Sequence, residues 1–120
     1  MAEHGFWSYA QRDPSRLALI APDERAYTRG ELFALQNRIA NGLRALGLRQ
    51  GDAVAVALPN CAEFFALNLA CAQSGWYLVP INWHLKAEEV AYILADSGAK
   101  ILVCHADLLP QISDGLPADV

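Results

Sequence analysis

The sequence predicts an α/β fold: parallel βαβ layers preceded by an N-terminal hairpin. Three observations carry this. Residues 53–58, 77–81 and 100–104 are apolar runs of strand length. Segments of helix length separate them. Strands joined by helical crossovers pair in parallel, because the crossover returns the chain to the same end of the sheet.

Residues 3–12 read as a short helix with Phe6, Trp7 and Ala10 on neighbouring positions. Asp13-Pro14 ends it, since the residue before proline avoids the helical region. Residues 17–21 form a β run, Pro22-Asp23-Glu24 supplies a turn, and Arg25-Ala26-Tyr27 returns as the second arm. Thr28-Arg29-Gly30-Glu31 has the capping-box spacing, so a helix begins there. At ~100° per residue, Leu32, Leu35, Ile39, Leu43 and Leu46 share a stripe, with Asn37, Arg38, Asn41 and Arg44 away from it. Gly47 suits the left-handed position after that helix, and Gln50-Gly51-Asp52 makes a turn.

Residues 53–58 are apolar at every position, as in a strand covered on both faces. Pro59-Asn60 stops it. Residues 61–74 are rich in Ala and Leu, and Glu63, Asn68 and Gln73 share no side, so this helix is expected to be buried almost all round. Gly75 closes it. In the strand 77–81, Pro80 is expected at the end or at a bulge. Residues 87–97 place Val90, Ile93 and Leu94 together, opposite Glu88, Glu89, Tyr92 and Asp96. Gly98 ends that helix, the strand 100–104 follows, and the tail with Pro110 and Pro117 is weakly helical.

With 120 residues, nine Lys plus Arg and thirteen Asp plus Glu, the chain carries a formal charge of −4. This length is that of one domain, which uses about 100–200 residues. The arginines are scattered singly, leaving no basic stripe to follow a phosphate backbone, and nucleic acid is not expected as a partner. The start has no basic region followed by an apolar core, so no secretion signal is read. The longest apolar stretch, 64–81, is broken by Asn68, Gln73, Ser74, Gly75 and Pro80, so no transmembrane segment is expected. Cys61, Cys71 and Cys104 lack metal-ligand or C-x-x-C spacing and fit free thiols in a cytoplasmic protein.

No strand is followed by G-x-G-x-x-G, and neither a G-x-x-x-x-G-K-[ST] loop nor a G-x-S-x-G elbow is present. In parallel sheets ligands lie beyond the carboxyl ends of the strands. Asn60, Cys61, Asn82, Trp83, His84, His105 and Asp107 all follow strands at that edge. They offer a thiol, two imidazoles and a carboxylate, a set able in principle to supply a nucleophile and a base. Against this, Cys104 and His105 are adjacent and point to opposite sides of a continuing strand. Cys61, at a helix start, is either a thiol acidified by the helix dipole or a small buried filler. The aromatic residues Phe6, Trp7, Phe64, Phe65, Trp76, Tyr77 and Trp83 are read as core before ligand wall, and Glu88-Glu89 as a solvated first turn.

Five ordered blocks resemble the N-terminal part of the adenylate-forming acyl-CoA synthetases, the superfamily that includes luciferases and peptide-synthetase adenylation domains. Arg12 to Ile20 is similar to "R-x-P-x-x-x-A-L", and Tyr27-Thr28-Arg29-Gly30-Glu31-Leu32 to "T-Y-x-E-L". Gly51 to Asn60 resembles "G-D-x-V-A-ϕ-ϕ-ϕ-P-N", Gly75 to Asn82 "G-A-ϕ-ϕ-ϕ-P-ϕ-N", and Glu88 to Lys100 "E-E-ϕ-x-Y-I-L-x-D-S-x-A-K". Pro80 to Leu85 looks most like bacterial fatty-acid CoA ligases. Trp76 stands where small residues are common and His84 where many members have Arg, which leaves the acid open.

The resemblance implies a carboxylate attacking the ATP α-phosphate to give acyl-AMP and pyrophosphate, with the CoA thiol then displacing AMP. It implies ATP, Mg and CoA for the intact parent, and none of them held by this segment. The family's phosphate loop, adenine-contacting motif, ribose-binding Asp and catalytic Lys lie downstream of these blocks. Residues 1–120 are therefore expected to be a partial N-terminal domain, ending before the ATP-binding motifs, with the remainder of the parent chain as its partner. No catalytic, cofactor-binding or metal residue carries over to any position here. A non-catalytic scaffold, an aryl-CoA ligase of the same superfamily and a flavodoxin-like nucleotide-binding protein stand as alternatives.

Overall fold

The computed structural model describes residues 5–120; Glu3 and His4, read above as the start of the first helix, lie outside them. In chain order the elements are α1 (Phe6–Arg12), β1 (Leu17–Ile20), β2 (Ala26–Thr28), α2 (Arg29–Ala45), β3 (Ala53–Ala57), α3 (Ala62–Ser74), β4 (Tyr77–Pro80), α4 (Ala87–Ser97), β5 (Ile101–Cys104), α5 (Leu109–Ile112) and a 3₁₀ turn (Ser113–Gly115). They fall into two compact units. One holds the described residues through Gly47 together with Asn60–Ser74, and the other holds Leu48–Pro59 with Gly75–Val120.

In the first unit β1 and β2 pair antiparallel, with an irregularity between Leu17 and Leu19. Their turn is closed by Ala21 N–H donating to the Arg25 carbonyl at 2.9 Å. Thr28 ends the hairpin and starts α2. Its hydroxyl accepts from the Glu31 N–H at 3.1 Å, while the Glu31 carboxylate accepts from the Thr28 N–H at 3.1 Å. The capping box read from the sequence is therefore formed, and two N–H groups that the first helical turn leaves unpaired are satisfied. These hydrogen bonds hold the Glu31 carboxyl below its usual range. The α1 helix is tied to α2 by an edge-on contact between Phe6 and Phe33, with ring centroids 6.5 Å apart, and by the Arg29 guanidinium over the Tyr9 ring at 5.5 Å.

The stripe expected on α2 is partly corrected. Leu32 and Leu43 are buried, and Leu35 and Ile39 pack on the cluster of Ala21, Tyr27, Leu32, Ala62 and Ala66. Leu46 instead is 74% exposed, because the helix stops at this residue and Gly47 turns the chain away with φ +98°. Gln36 and Ala40 are buried in its place. Gln36 is tolerated there because its Nε2 donates to Gln73 Oε1 on α3, although its own Oε1 finds no partner among the described residues. The α3 helix is not buried all round. Ala62, Ala66, Leu67, Ala70 and Cys71 form a buried face, while Glu63, Phe65, Asn68, Ala72 and Gln73 are exposed. Alanines at positions 62, 66 and 70 recur every fourth residue and set that face. The even spread of polar residues had concealed it.

The second unit is a three-stranded parallel sheet in the order β4-β3-β5. Val54, Ala55, Val56 and Ala57 are all 0% exposed, so both sets of alternating side chains on β3 are enclosed, as its unbroken apolar run predicts. On one face Ala55 and Ala57 pack with Ile81, Val90, Leu94, Ala99, Leu108 and Ile112. Val90 and Leu94, four residues apart, bring α4 onto those small alanines. Burying such a side chain contributes about 1.5–3 kcal/mol. Pro80 ends β4 opposite Val56, as expected, and the ladder continues through Ile81 N–H donating to the Val56 carbonyl at 2.8 Å. Gly98 closes α4 in the left-handed region at φ +66°. Gly75 leads into β4 at φ +74°, where a Cβ would lie 2.9 Å from the Gln50 side chain.

At the amino-terminal end of the sheet, Lys100 Nζ lies 2.9 Å from Asp52 Oδ1, and Asp52 Oδ2 accepts from the Arg49 N–H at 2.7 Å. The backbone hydrogen bond first, and Lys100 second, hold the Asp52 carboxyl below its usual range. Lys100 is 61% exposed, so the ion pair stabilises little beside the apolar burial around β3.

Two outcomes follow from these contacts. Thr28→Ala removes the cap and is expected to lower stability by about 1 kcal/mol in urea unfolding, without changing the slope of the transition; an unchanged midpoint refutes the role of the cap. Asp52 binds its proton less tightly folded than unfolded. Its stabilisation is therefore present above the ordinary carboxylate range and is lost as pH falls through the lowered folded value. Asp52→Asn should flatten the acid limb of the stability–pH curve, and an unaltered limb contradicts this.

Candidate functional site at the carboxyl edge of the sheet

The ends of β3, β4 and β5 form a cleft of about 410 Å³, lined by Ala57, Pro59, Trp83, His84, Leu85, His105, Asp107, Leu108 and Gln111. Each wall follows from the chain leaving a strand. After β4, Asn82 makes a turn: its Oδ1 accepts from the His84 N–H at 3.0 Å, and its carbonyl accepts from the Leu85 N–H at 3.1 Å. This presents Trp83 and His84 side by side, with ring centroids 3.7 Å apart and a 32° tilt. Both side chains line the cleft, and Trp83 is 42% exposed.

After β5, the His105 carbonyl accepts from the Leu108 N–H at 3.0 Å, turning the chain into α5. His105 Nδ1 accepts from the Asp107 N–H at 3.3 Å and lies 3.5 Å from Asp107 Oδ2. The two contacts need opposite states of that nitrogen, an acceptor for the N–H and a protonated donor for the carboxylate. Buried Leu108 and Ile112 anchor α5 to the core and leave Gln111 on the cleft side.

Of the strand-end residues singled out from the sequence, the cleft gathers Trp83, His84, His105 and Asp107. Asn82 supports the turn. Asn60 and Cys61 belong to the other unit, where they line hollows with Ala21 and Pro22. Cys104 packs against the core cluster while His105 is exposed, in line with their alternation. The lining therefore offers two imidazoles, one carboxylate, one carboxamide and one indole, with neither a thiol nor a hydroxyl. Leu85, Leu108 and Gln111 were missed. The signal for Gln111 was Pro110 in the first turn of a helix directly after the third strand.

Cys61 is not acidified. Burial pushes its thiol up and outweighs the backbone N–H groups of Phe64 and Glu63 that pull it down. Burial also raises Cys104, and it raises Cys71 to about 11. Among the described residues, no group of three His, Cys, Asp or Glu is placed to hold a metal ion.

The sequence profile of the AMP-binding enzyme family matches residues 6–119. The chain belongs to that family. It is 37% identical to the fatty acid acyl-carrier-protein ligase ScoC of Streptomyces coeruleorubidus, covering 92% of this chain and 21% of that protein. It is 39% identical to the long-chain-fatty-acid CoA ligase FadD13 of Mycobacterium tuberculosis, covering 88% of this chain and 22% of that one. The crystal structure of the inhibitor-bound N-terminal domain of FACL13 from M. tuberculosis superposes with a TM-score of 0.85 at 38% identity, over 91% of this chain and 28% of that one. The chain thus spans about a fifth of the length of these curated relatives. The sheet and its helices are those of the N-terminal domain of adenylate-forming ligases, as the five sequence blocks imply.

The residues here do not fit the ATP and Mg that this chemistry uses. The cleft lining holds one carboxylate, Asp107, and no lysine or arginine to meet phosphate charge. No step is assigned to this segment through either group.

Iodoacetamide labelling read by mass spectrometry checks the thiols. Reaction should be slow at about pH 7 and still rising with pH near 9, with Cys71 last. A rate that levels off below about pH 8 at Cys61 marks an activated thiol and contradicts the burial account.

Proposed function

We propose that this chain is the amino-terminal segment of an ATP-dependent fatty-acid CoA ligase that acts through an acyl-adenylate. The observation that carries the proposal is one-sided coverage: about nine-tenths of this chain matches about a fifth of each ligase relative. Both relatives are ligases of fatty acids by name. One passes the acyl group to a carrier protein and the other to CoA, and both acceptors end in a thiol. CoA is favoured by the FadD13 likeness and by the resemblance of Pro80 to Leu85 to CoA ligases.

In the parent reaction a carboxylate oxygen attacks the α-phosphorus of ATP. The bond to the bridging oxygen breaks, pyrophosphate leaves, and the thiol sulfur then attacks the acyl carbon and releases AMP. Such a reaction needs cations at the phosphoryl oxygens and a positioned donor. The resemblance assigns these to sequence downstream of the five blocks. The segment contributes the β4-β3-β5 layer, and alone it performs neither half-reaction. Ile20 at 60% and Tyr77 at 69% exposure are consistent with surfaces that a longer chain covers. No helix among the described residues is long and apolar enough to cross a membrane. The free thiols accord with a cytoplasmic enzyme.

Two measurements test the proposal. The purified 120-residue chain with ATP, Mg, a fatty acid and CoA should release no pyrophosphate, and release at turnover rates contradicts the assignment. The coding sequence should continue past Val120 into a Ser/Thr/Gly-rich phosphate loop, whereas an immediate stop favours the non-catalytic scaffold.

A further inference from the structure

We draw no further inference here: the strongest candidate, the open cleft beyond β3, β4 and β5 walled by Trp83, His84, His105 and Asp107, belongs to the site already described, and nothing in the structure shows what ligand or neighbouring segment covers it.

Discussion

The enclosure of β3 is the constraint on which the second unit depends. Its backbone is hydrogen-bonded along both edges, to β4 and to β5, and its side chains from Val54 to Ala57 are closed to solvent on both faces. A buried strand can meet its backbone hydrogen-bonding needs only if both neighbours are present and in register. The register is fixed in turn by composition. Alanine at 55 and 57 admits Val90 and Leu94 of α4, and slipping by one residue would put valines against that helix. Because both neighbours run parallel to β3, all three strands deliver their carboxyl ends to one edge.

That common edge makes the cleft. Its side chains come from short, hydrogen-bonded turns. The Asn82 turn sets the Trp83–His84 pair, and the His105 turn leads into α5, whose buried Ile112 fixes Gln111. The edge offers one indole, two imidazoles, one carboxylate and one carboxamide, with no lysine or arginine among the lining side chains. On the proposed reading, the fold of this segment and the phosphate chemistry of the parent enzyme fall to different stretches of the chain. The strands and their crossovers require apolar patterning, whereas phosphoryl transfer requires glycine loops and cations.

Much of this was legible in the residues. The unbroken apolar run at 53–58 specified a strand closed on both faces, Thr28 and Glu31 specified the capping box, and the bounds of α4 were set by its acidic first turn and by Gly98. What escaped had physical causes. Leu46 fits the helical stripe of α2 by angle, but the helix ends there, and angle alone does not say where a helix stops. Gln36 reads as surface until its hydrogen-bonding partner on α3 is known. The open face of α3 was hidden because alanine is neutral in apolar patterning, so Ala62, Ala66 and Ala70 did not stand out from Phe65 and Ala72. At the candidate site, residues after β4 and β5 were found by the strand-end rule. Cys61 and Asn60 follow β3 by the same rule, but they sit at the start of α3 in the other unit.

Native-state hydrogen exchange tests the central position of β3 most directly. Amides of Val54 to Ala57 should exchange slowest in the chain, opening only with global unfolding, while those of the β1–β2 hairpin exchange sooner. If the β3 amides exchange as fast as the hairpin, the sheet is not organised around that strand, and the account of the edge it supports fails with it.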